Sequence, residues 1–463
     1  MLYLFIFIAI SFLGFFLYKG FQPVKRIQQI GNWSEVISAQ SENFKNTFDN
    51  FKSNPTNNEH DILFFLLNTI NNSKSFYSTE VKSYVEELFI QLNNNNYLKK
   101  KMYLKCIFLC NCYKYQEALE VYLQLLEIYE NETTLNKQEL RKVNLEIAKL
   151  MFYKLSLDGS IYLNKVGDYS ESEDEINEWE TEVYLIKFIF DIQNKEIKEK
   201  IDSLIFYNRK NNETLKLKHI YERLIYIYEE KQTYKTLEYI EKCNELFSST
   251  AYLNPNDYII EYMFFLKKCI VFFQKHKSSL YIQSYFDEFS EIVLNLSKLK
   301  TIDKENRLSF LETLLDTSVL RWGTENENLQ KELHNKILSN IEFIDESKER
   351  NELLGIIYHN LAVFETNGNK CKSLPILKNA LQILQTFREK YNSNSKANLE
   401  ANILMLFANY YASCELDNEK SAFYADEVLK ILPTFPEEKL DNALILNNSV
   451  INIKYFWSNQ KSS

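Results

Sequence analysis

Few side chains in this sequence stand where chemistry needs them. The five histidines, His60, His219, His276, His334 and His359, are too widely spaced to share a metal with one another or with a cysteine pair, so no zinc site is expected. Cys106, Cys110 and Cys112 form the one cysteine cluster. Cys106 and Cys110 would share a helix face, where a disulfide has poor geometry, and their expected role is as small buried hydrophobes. Paired carboxylates such as Glu229-Glu230 and Glu437-Glu438 read as solvated helix surface. No glycine-rich phosphate loop, GxSxG or HExxH motif occurs. The chain therefore reads as a non-enzyme: no catalytic, cofactor-binding or metal-ligating residue is assigned, no cofactor is expected, and no partner-binding residue stands out.

One charged stretch interrupts this background. Residues 168–182, DYSESEDEINEWETE, carry eight acidic side chains: Asp168, Glu171, Glu173, Asp174, Glu175, Glu178, Glu180 and Glu182. The plainer reading is a solvated loop leading into a helix whose acidic first turn suits the macrodipole. The sharper one is an acidic docking segment anchored by Trp179.

Composition sets the class of element that must carry these residues. The chain has 463 residues but only eight Gly and six Pro, against averages of ~7% and ~5%. Punctuation is scarce, alternating strand patterns are almost absent, and long helices are favoured. The 31 Tyr and 33 Phe suit stacked helix pairs that need large residues between layers. A net charge of −9 and a pI near 5.4 argue against a nucleic-acid surface. The seven cysteines show no framework and are expected to be reduced thiols. Sequons such as those at Asn131 and Asn212 are expected by chance in so Asn-rich a chain.

In order, residues 1–18, MLYLFIFIAISFLGFFLY, are uncharged, with Ser11 the one strongly polar side chain. As a helix they reach ~27 Å, close to the ~30 Å hydrocarbon thickness. Tyr18, Lys19, Lys25 and Arg26 then supply an interfacial ring and positive charge. A transmembrane anchor is expected, with a cleaved signal peptide as the rival; the basic flank places the bulk of the chain on the Lys/Arg side. Residues 19–32 form a juxtamembrane linker, 33–458 a helical-repeat domain, and 459–463 a polar tail.

Within that domain the clearest unit is Met102–Tyr129, read as two helices joined near Lys114. Leu104, Ile107, Phe108 and Leu109 fill the first helix; Ala118, Leu119, Tyr122, Leu125, Leu126 and Tyr129 recur at helical spacing along the second. Small Ala118 admits close backbone approach, Tyr122 fills the gap beside it, and Tyr115 plugs the corner. This unit resembles a tetratricopeptide (TPR) repeat, whose tyrosine, small residue and aromatic recur within ~34 residues. In 217–247, Tyr234 and Leu237 are expected where Tyr115 and Ala118 stand upstream. The 358–384 stretch offers Leu361-Ala362, a turn at Gly368, Pro375 in the next first turn, and Ala380. The 401–433 stretch offers Ser421, Ala425 and Pro433. A helix over 439–456 would cap the stack. The expected fold is all-α, a TPR-like α-solenoid of about eight stacked hairpins behind one N-terminal transmembrane helix.

Such scaffolds hold an extended peptide or helix in a groove, so a protein-binding adaptor is the function expected. The layout resembles the membrane-anchored TPR adaptor subunits of yeast-type mitochondrial i-AAA proteases. The matching parts are the span at 1–18, the repeat Met102–Tyr129, the charged stretch into a leucine-rich helix at 131–155, and the later pairs at 355–433. That resemblance implies a domain in the intermembrane space that presents substrate proteins to an AAA protease complex. Residues 1–26 also resemble the anchors of outer-membrane import receptors, which would face the cytosol as a receptor or tether. A reading from another class is a helical enzyme or lipid-handling protein with a cavity between helix pairs.

Overall fold

In the computed structural model the described residues run from 33 to 451, apart from 57, 73–76, 133–135, 230, 277–278, 323–326, 436–442 and 444. The expected span at 1–18, the linker at 19–32 and the polar tail lie outside the described residues. No helix among the described residues is long and apolar enough to cross a membrane. The regular elements among the described residues are all helical, as the composition predicts. Contacts separate two compact units within the stretch read as one repeat domain, with the boundary between Ile292 and Val293.

The first unit contains α1 (Trp33–Ser53), α2 (Glu59–Asn72), α3 (Thr79–Gln91), α4 (Leu98–Asn111), α5 (Tyr115–Glu130), α6 (Lys137–Leu150), α7 (Ser160–Tyr169), α8 (Glu173–Phe190), α9 (Lys195–Lys210), α10 (Thr214–Tyr228), α11 (Thr233–Leu253) and α12 (Pro255–Lys275). It ends within α13 (Ser279–Leu296). Consecutive helices pair as hairpins, α4 with α5, α6 with α7, α8 with α9 and α10 with α11. The chain then returns on itself, because α1 and α2 pack against α12. Trp33 is buried at that return, edge-on to Tyr252 and tilted against Tyr262.

Local chemistry explains where the helices begin. Ser78, Asn136 and Asn194 accept from backbone N–H groups in the first turns of α3, α6 and α9, satisfying orphan donors. Pro255 opens α12, where a missing N–H costs little. How they end is less usual. The α4–α5 corner closes with Lys114 N–H donating to the Leu109 carbonyl, which forces Tyr113 to a left-handed φ of 61°. That position normally takes glycine. Asn212 closes α9 in the same way at φ 56°.

The core of the clearest repeat is as expected. Ala118, Tyr122, Leu125 and Tyr129 pack with Cys106 and Leu109 of α4 and with Leu140, Val143 and Ile147 of α6. The 217–247 unit needs a correction of register. Thr236, not Leu237, is the fully buried small residue, four positions into α11 as Ala118 is four into α5. Leu237 is half-buried. The Thr236 hydroxyl can occupy a small site because it bonds back to the Gln232 carbonyl at 3.3 Å.

The second unit continues with α14 (Lys304–Trp322), α15 (Glu327–Ile341), α16 (Lys348–Asn369), α17 (Leu374–Tyr391), α18 (Ala397–Tyr410) and α19 (Asn418–Ile431). Here α16 pairs with α17 and α18 with α19, while α16 also touches α18. Ala362, Leu377, Ala380, Ile403 and Phe407 form one shared core, and Ala401, Ala408, Ala425 and Val428 another. Gly368 lies inside the last turn of α16 rather than in the turn beyond it, which is a 3-10 turn at Lys370–Lys372. Leu446 and Val450 cover the end of α19, as a capping helix would; the rest of the 439–456 helix falls partly outside the described residues.

The cysteine expectation is overturned here. Cys371 and Cys414, 43 residues apart, form a disulfide. It joins the α16–α17 corner to a π-helical turn, Tyr411–Glu415, that follows α18. No linear spacing announces the pair, because two neighbouring hairpins must stack before their corners meet.

Candidate functional site

The most heavily built polar cluster lies in the first unit, where α6, α8 and α10 converge. Glu182 of α8 is 3% exposed. Its Oε1 lies 2.9 Å from His219 Nε2, the Tyr153 hydroxyl donates to its Oε2, and Lys149 Nζ stands 3.9 Å away. Burial pushes the Glu182 carboxyl up, but the charge and hydrogen bond of His219, then Lys149 and Tyr153, outweigh it and hold it down at about 2. Nearby, Arg141 donates to Glu178 at 2.6 Å and to the Glu175 carbonyl at 3.1 Å. The space between these groups is filled by Leu145, Ala148, Phe152 and Ile186 and holds no water-sized volume. Closed in this way, the cluster positions its neighbours and has no room for substrate.

Its position depends on a local irregularity. Beyond α6 the chain makes a π-helical turn, Met151–Leu155, closed by Ser156 at φ 55°. Such turns rotate side chains off the regular helical face and recur at functional sites. Here Tyr153 is turned in toward Glu182 and Lys154 out to solvent. Arg223 of α10 lies over the Tyr153 ring, its Cζ 3.6 Å from the centroid.

Further charged and aromatic groups lie around the π turn. Lys154 sits 5.4 Å from the Tyr115 ring, and its electrostatic neighbours are Arg223, Glu261, Lys268 and Glu222. Surrounding protein lowers its pKa by desolvation, and Arg223 and Lys268 add repulsion, although the side chain is exposed. Lys218 bridges Glu222 at 3.6 Å and Glu261 at 3.7 Å and lies 3.8 Å from the Phe247 ring. Tyr113 is 65% exposed, edge-on to Tyr115, and its phenol is raised by desolvation and by the Glu261 carboxylate.

The second unit holds an open groove of about 250 Å³ between α17 and α19. Lys378, Gln382, Gln385 and Glu389 of α17 line one side, and Phe407 with Tyr424 form its floor. The floor is a ladder of stacked rings: Phe407 on Tyr424 at 4.7 Å and Tyr424 on Tyr411 at 5.5 Å.

The residues singled out in the sequence find plain roles. His334 accepts from Asn360 at Nε2 and donates from Nδ1 to the Gln330 carbonyl, and Asn360 accepts from His359, so two histidines distant in sequence share one amide. Burial lowers both. The His276 ring lies tilted against Phe272, centroids 4.5 Å apart. No group of metal-ligating side chains comes together among the described residues. Cys106 is buried, and burial raises the thiols of Cys106, Cys110 and Cys112, Cys110 to about 11.

The acidic stretch is absorbed into structure. Ser172 and Glu175 form a reciprocal capping box at the start of α8. Glu171 pairs with Lys137, Glu178 with Arg141, and Asp174 accepts from Tyr207. Trp179 lies over Gly167, close enough that an added methyl would meet its ring at 2.7 Å. Trp179 is thus a packing residue, which favours the capped-helix reading over docking. Lys154, Arg223, Lys268 and the aromatic ladder carried no linear signal.

No protein-family model matches the chain, and no curated protein does. Among solved structures it is similar to a signal transduction ATPase with numerous domains (STAND) protein with a tetratricopeptide repeat sensor, from Pyrococcus horikoshii. Identity is 14% and the TM-score 0.34, over 80% of this chain and 52% of that one. The chain thus spans about half the length of that protein.

Proposed function

We propose that this protein is an adaptor: a scaffold of helical hairpins that holds a segment of a partner protein. The observation that carries this reading is the groove between α17 and α19, where amide and charged side chains stand above a floor of stacked aromatic rings. Stacked rings give a binding surface at low entropic cost, and flanking amides can meet a backbone. A closed pocket lined by titratable groups would have favoured the enzyme or lipid-handling reading; the buried Glu182 cluster of the first unit holds no water-sized volume.

The finer assignment rests on sequence layout alone. In it, residues 1–18 anchor the chain in a mitochondrial membrane and the helical units present substrates to an AAA protease, or, facing the cytosol, act as an import receptor. A photo-crosslinking residue at Gln382 should capture a discrete partner that the same probe at exposed Glu127 of α5 does not. Equal capture from both positions would refute the adaptor reading. Protease protection of a C-terminally tagged chain in isolated mitochondria, before and after outer-membrane rupture, tests the address. Absence from mitochondria would sink the finer assignment and leave the scaffold.

A further inference from the structure

A short chain of contacts joins the α17–α19 groove to the disulfide of the second unit. Phe407 and Tyr424 form the groove floor. Tyr411 stacks on both, its ring 4° from the plane of Tyr424 and 15° from that of Phe407, with centroids 5.5 and 6.5 Å away. Tyr411 and Cys414 belong to the same five-residue π turn, Tyr411–Glu415. The Tyr411 carbonyl accepts from the N–H groups of Leu416 and Asp417, so the turn closes on the residue that carries the ring. Cys414 is bonded in turn to Cys371 at the α16–α17 corner. Tyr411, Cys414 and Tyr424 also pack against one core, that of Ala362, Leu377 and Ala380.

The disulfide is not what makes this turn. The first unit has a π turn of the same length, Met151–Leu155, closed by left-handed Ser156 (φ 55°) as Tyr411–Glu415 is closed by left-handed Leu416 (φ 54°). There Leu157 N–H donates to the Met151 carbonyl at 2.8 Å, as Asp417 N–H donates to that of Tyr411 at 2.9 Å. The first-unit turn forms with no cysteine in it. What the disulfide adds in the second unit is therefore the tether between the turn and the neighbouring corner. Cys371 is exposed, and the five remaining cysteines all lie in the first unit. Cutting the tether releases two thiols with no other cysteine of their unit to pair with, so reoxidation restores the same bond.

We propose that the Cys371–Cys414 disulfide is a redox switch on the α17–α19 groove. Oxidised, it holds Tyr411 in the aromatic floor and the groove binds its partner segment. Reduced, it frees the π turn from the α16–α17 corner, Tyr411 leaves the stack and binding is lost. The reductant is the dithiol of a disulfide oxidoreductase. One of its thiolates attacks the exposed Cys371 sulfur; the S–S bond breaks, and Cys414 leaves as a thiolate that takes up a proton. The second thiol of the reductant then displaces Cys371 from the mixed disulfide. Two electrons and two protons pass to the protein, and the dithiol becomes a disulfide. Binding responds because a ring held in place costs less to engage than one that each encounter must order afresh. The inference deepens the adaptor reading of this groove and rests on it.

Fluorotyrosine placed at Tyr411 in the full chain reports the surroundings of that ring by fluorine NMR. Dithiothreitol should shift its resonance toward that of free fluorotyrosine. Cys371→Ser with Cys414→Ser should show the shifted resonance without reductant, and no further change with it. The same label at Tyr391, whose hydroxyl accepts from Asn351 of α16 at 3.0 Å, should not move. Photo-crosslinking from Gln382 should capture a partner with the oxidised chain and lose it after reduction. An unmoved Tyr411 resonance, or capture that persists in the reduced chain, would overturn the switch and leave the adaptor reading intact. Movement at Tyr391 would overturn it too, because reduction would then undo the α16–α17 packing and the disulfide would serve stability alone. Failure to capture in either state removes the adaptor reading itself, and the inference with it.

Discussion

Glu288 and Glu182 show how one residue type is set to opposite states by what surrounds it. Glu288 is buried against Trp33, whose indole Nε1 donates to it at 3.2 Å, and one of its oxygens has no partner among the described residues. Burial pushes its carboxyl up to about 7, against hydrogen bonds from Tyr262 and Trp33 that pull it down. The folded state therefore binds this proton more tightly than the unfolded chain. Its contribution is complete below the ordinary carboxylate value of 4.5 and is lost as pH rises through about 7. Glu288→Gln keeps the acceptor for Trp33 and should remove that slope. The variant should exceed wild type in stability by roughly 2–3 kcal/mol at about pH 8, with little difference at about pH 5. Urea unfolding at both pH values decides this, and parallel pH profiles would refute it. Glu182 has the reverse sign: its stabilising partners hold its pKa low, so its contribution is present above 4.5 and lost as pH falls toward about 2.

Among the helices, the small residue four positions into a second helix sets how closely a hairpin closes. Ala118 has no exposed surface, and its neighbours Cys106, Leu109 and Tyr122 are buried with it. Ala118→Trp should overpack this site and destabilise the protein by ~1–3 kcal/mol. Wild-type chemical stability in that variant would contradict the packing described here. The rule was legible where the residue was Ala or Ser, as at Ala118 and Ser421. It was misread at Thr236, because a threonine becomes small only when its hydroxyl finds the carbonyl four residues back. Helix ends were harder still. Tyr113 and Asn212 take left-handed positions where glycine is the usual signal, so the sequence offers no mark at those turns.

For the molecule as a whole, redox state should separate the two units. The five free cysteines, Cys106, Cys110, Cys112, Cys243 and Cys269, all belong to the first unit, while the second holds the Cys371–Cys414 disulfide. Cys371 is exposed, so a reductant reaches the bond. Closing a loop of this length restricts the unfolded chain by an amount worth about 2–4 kcal/mol. Reduction, or Cys371→Ser, should therefore lower the second unit's unfolding midpoint and leave the first unit's in place. Pulse proteolysis with and without dithiothreitol, scored by fragments from each unit, measures this. A common shift of both units would refute it.

Composition and periodicity alone determined that the described chain is helical, that its helices pair as hairpins and that Met102–Tyr129 is one such hairpin, because scarce Gly and Pro and apolar residues at helical spacing act within a single turn or two. They also located the acidic run, whose Ser172 and Glu175 form a cap of four consecutive residues. What tertiary structure decided depends on residues far apart in the chain. The disulfide spans two hairpins, Glu182 needs Tyr153 and His219 from other helices, and the aromatic ladder under the α17–α19 groove forms only when α18 and α19 pack. Arg223 is the clearest case: in sequence it looks like an ordinary surface charge, and only the π turn after α6 and the placing of α10 bring its guanidinium over the Tyr153 ring, 3.6 Å from the centroid. Charges interact through space, and sequence spacing does not record the distance that folding sets between them.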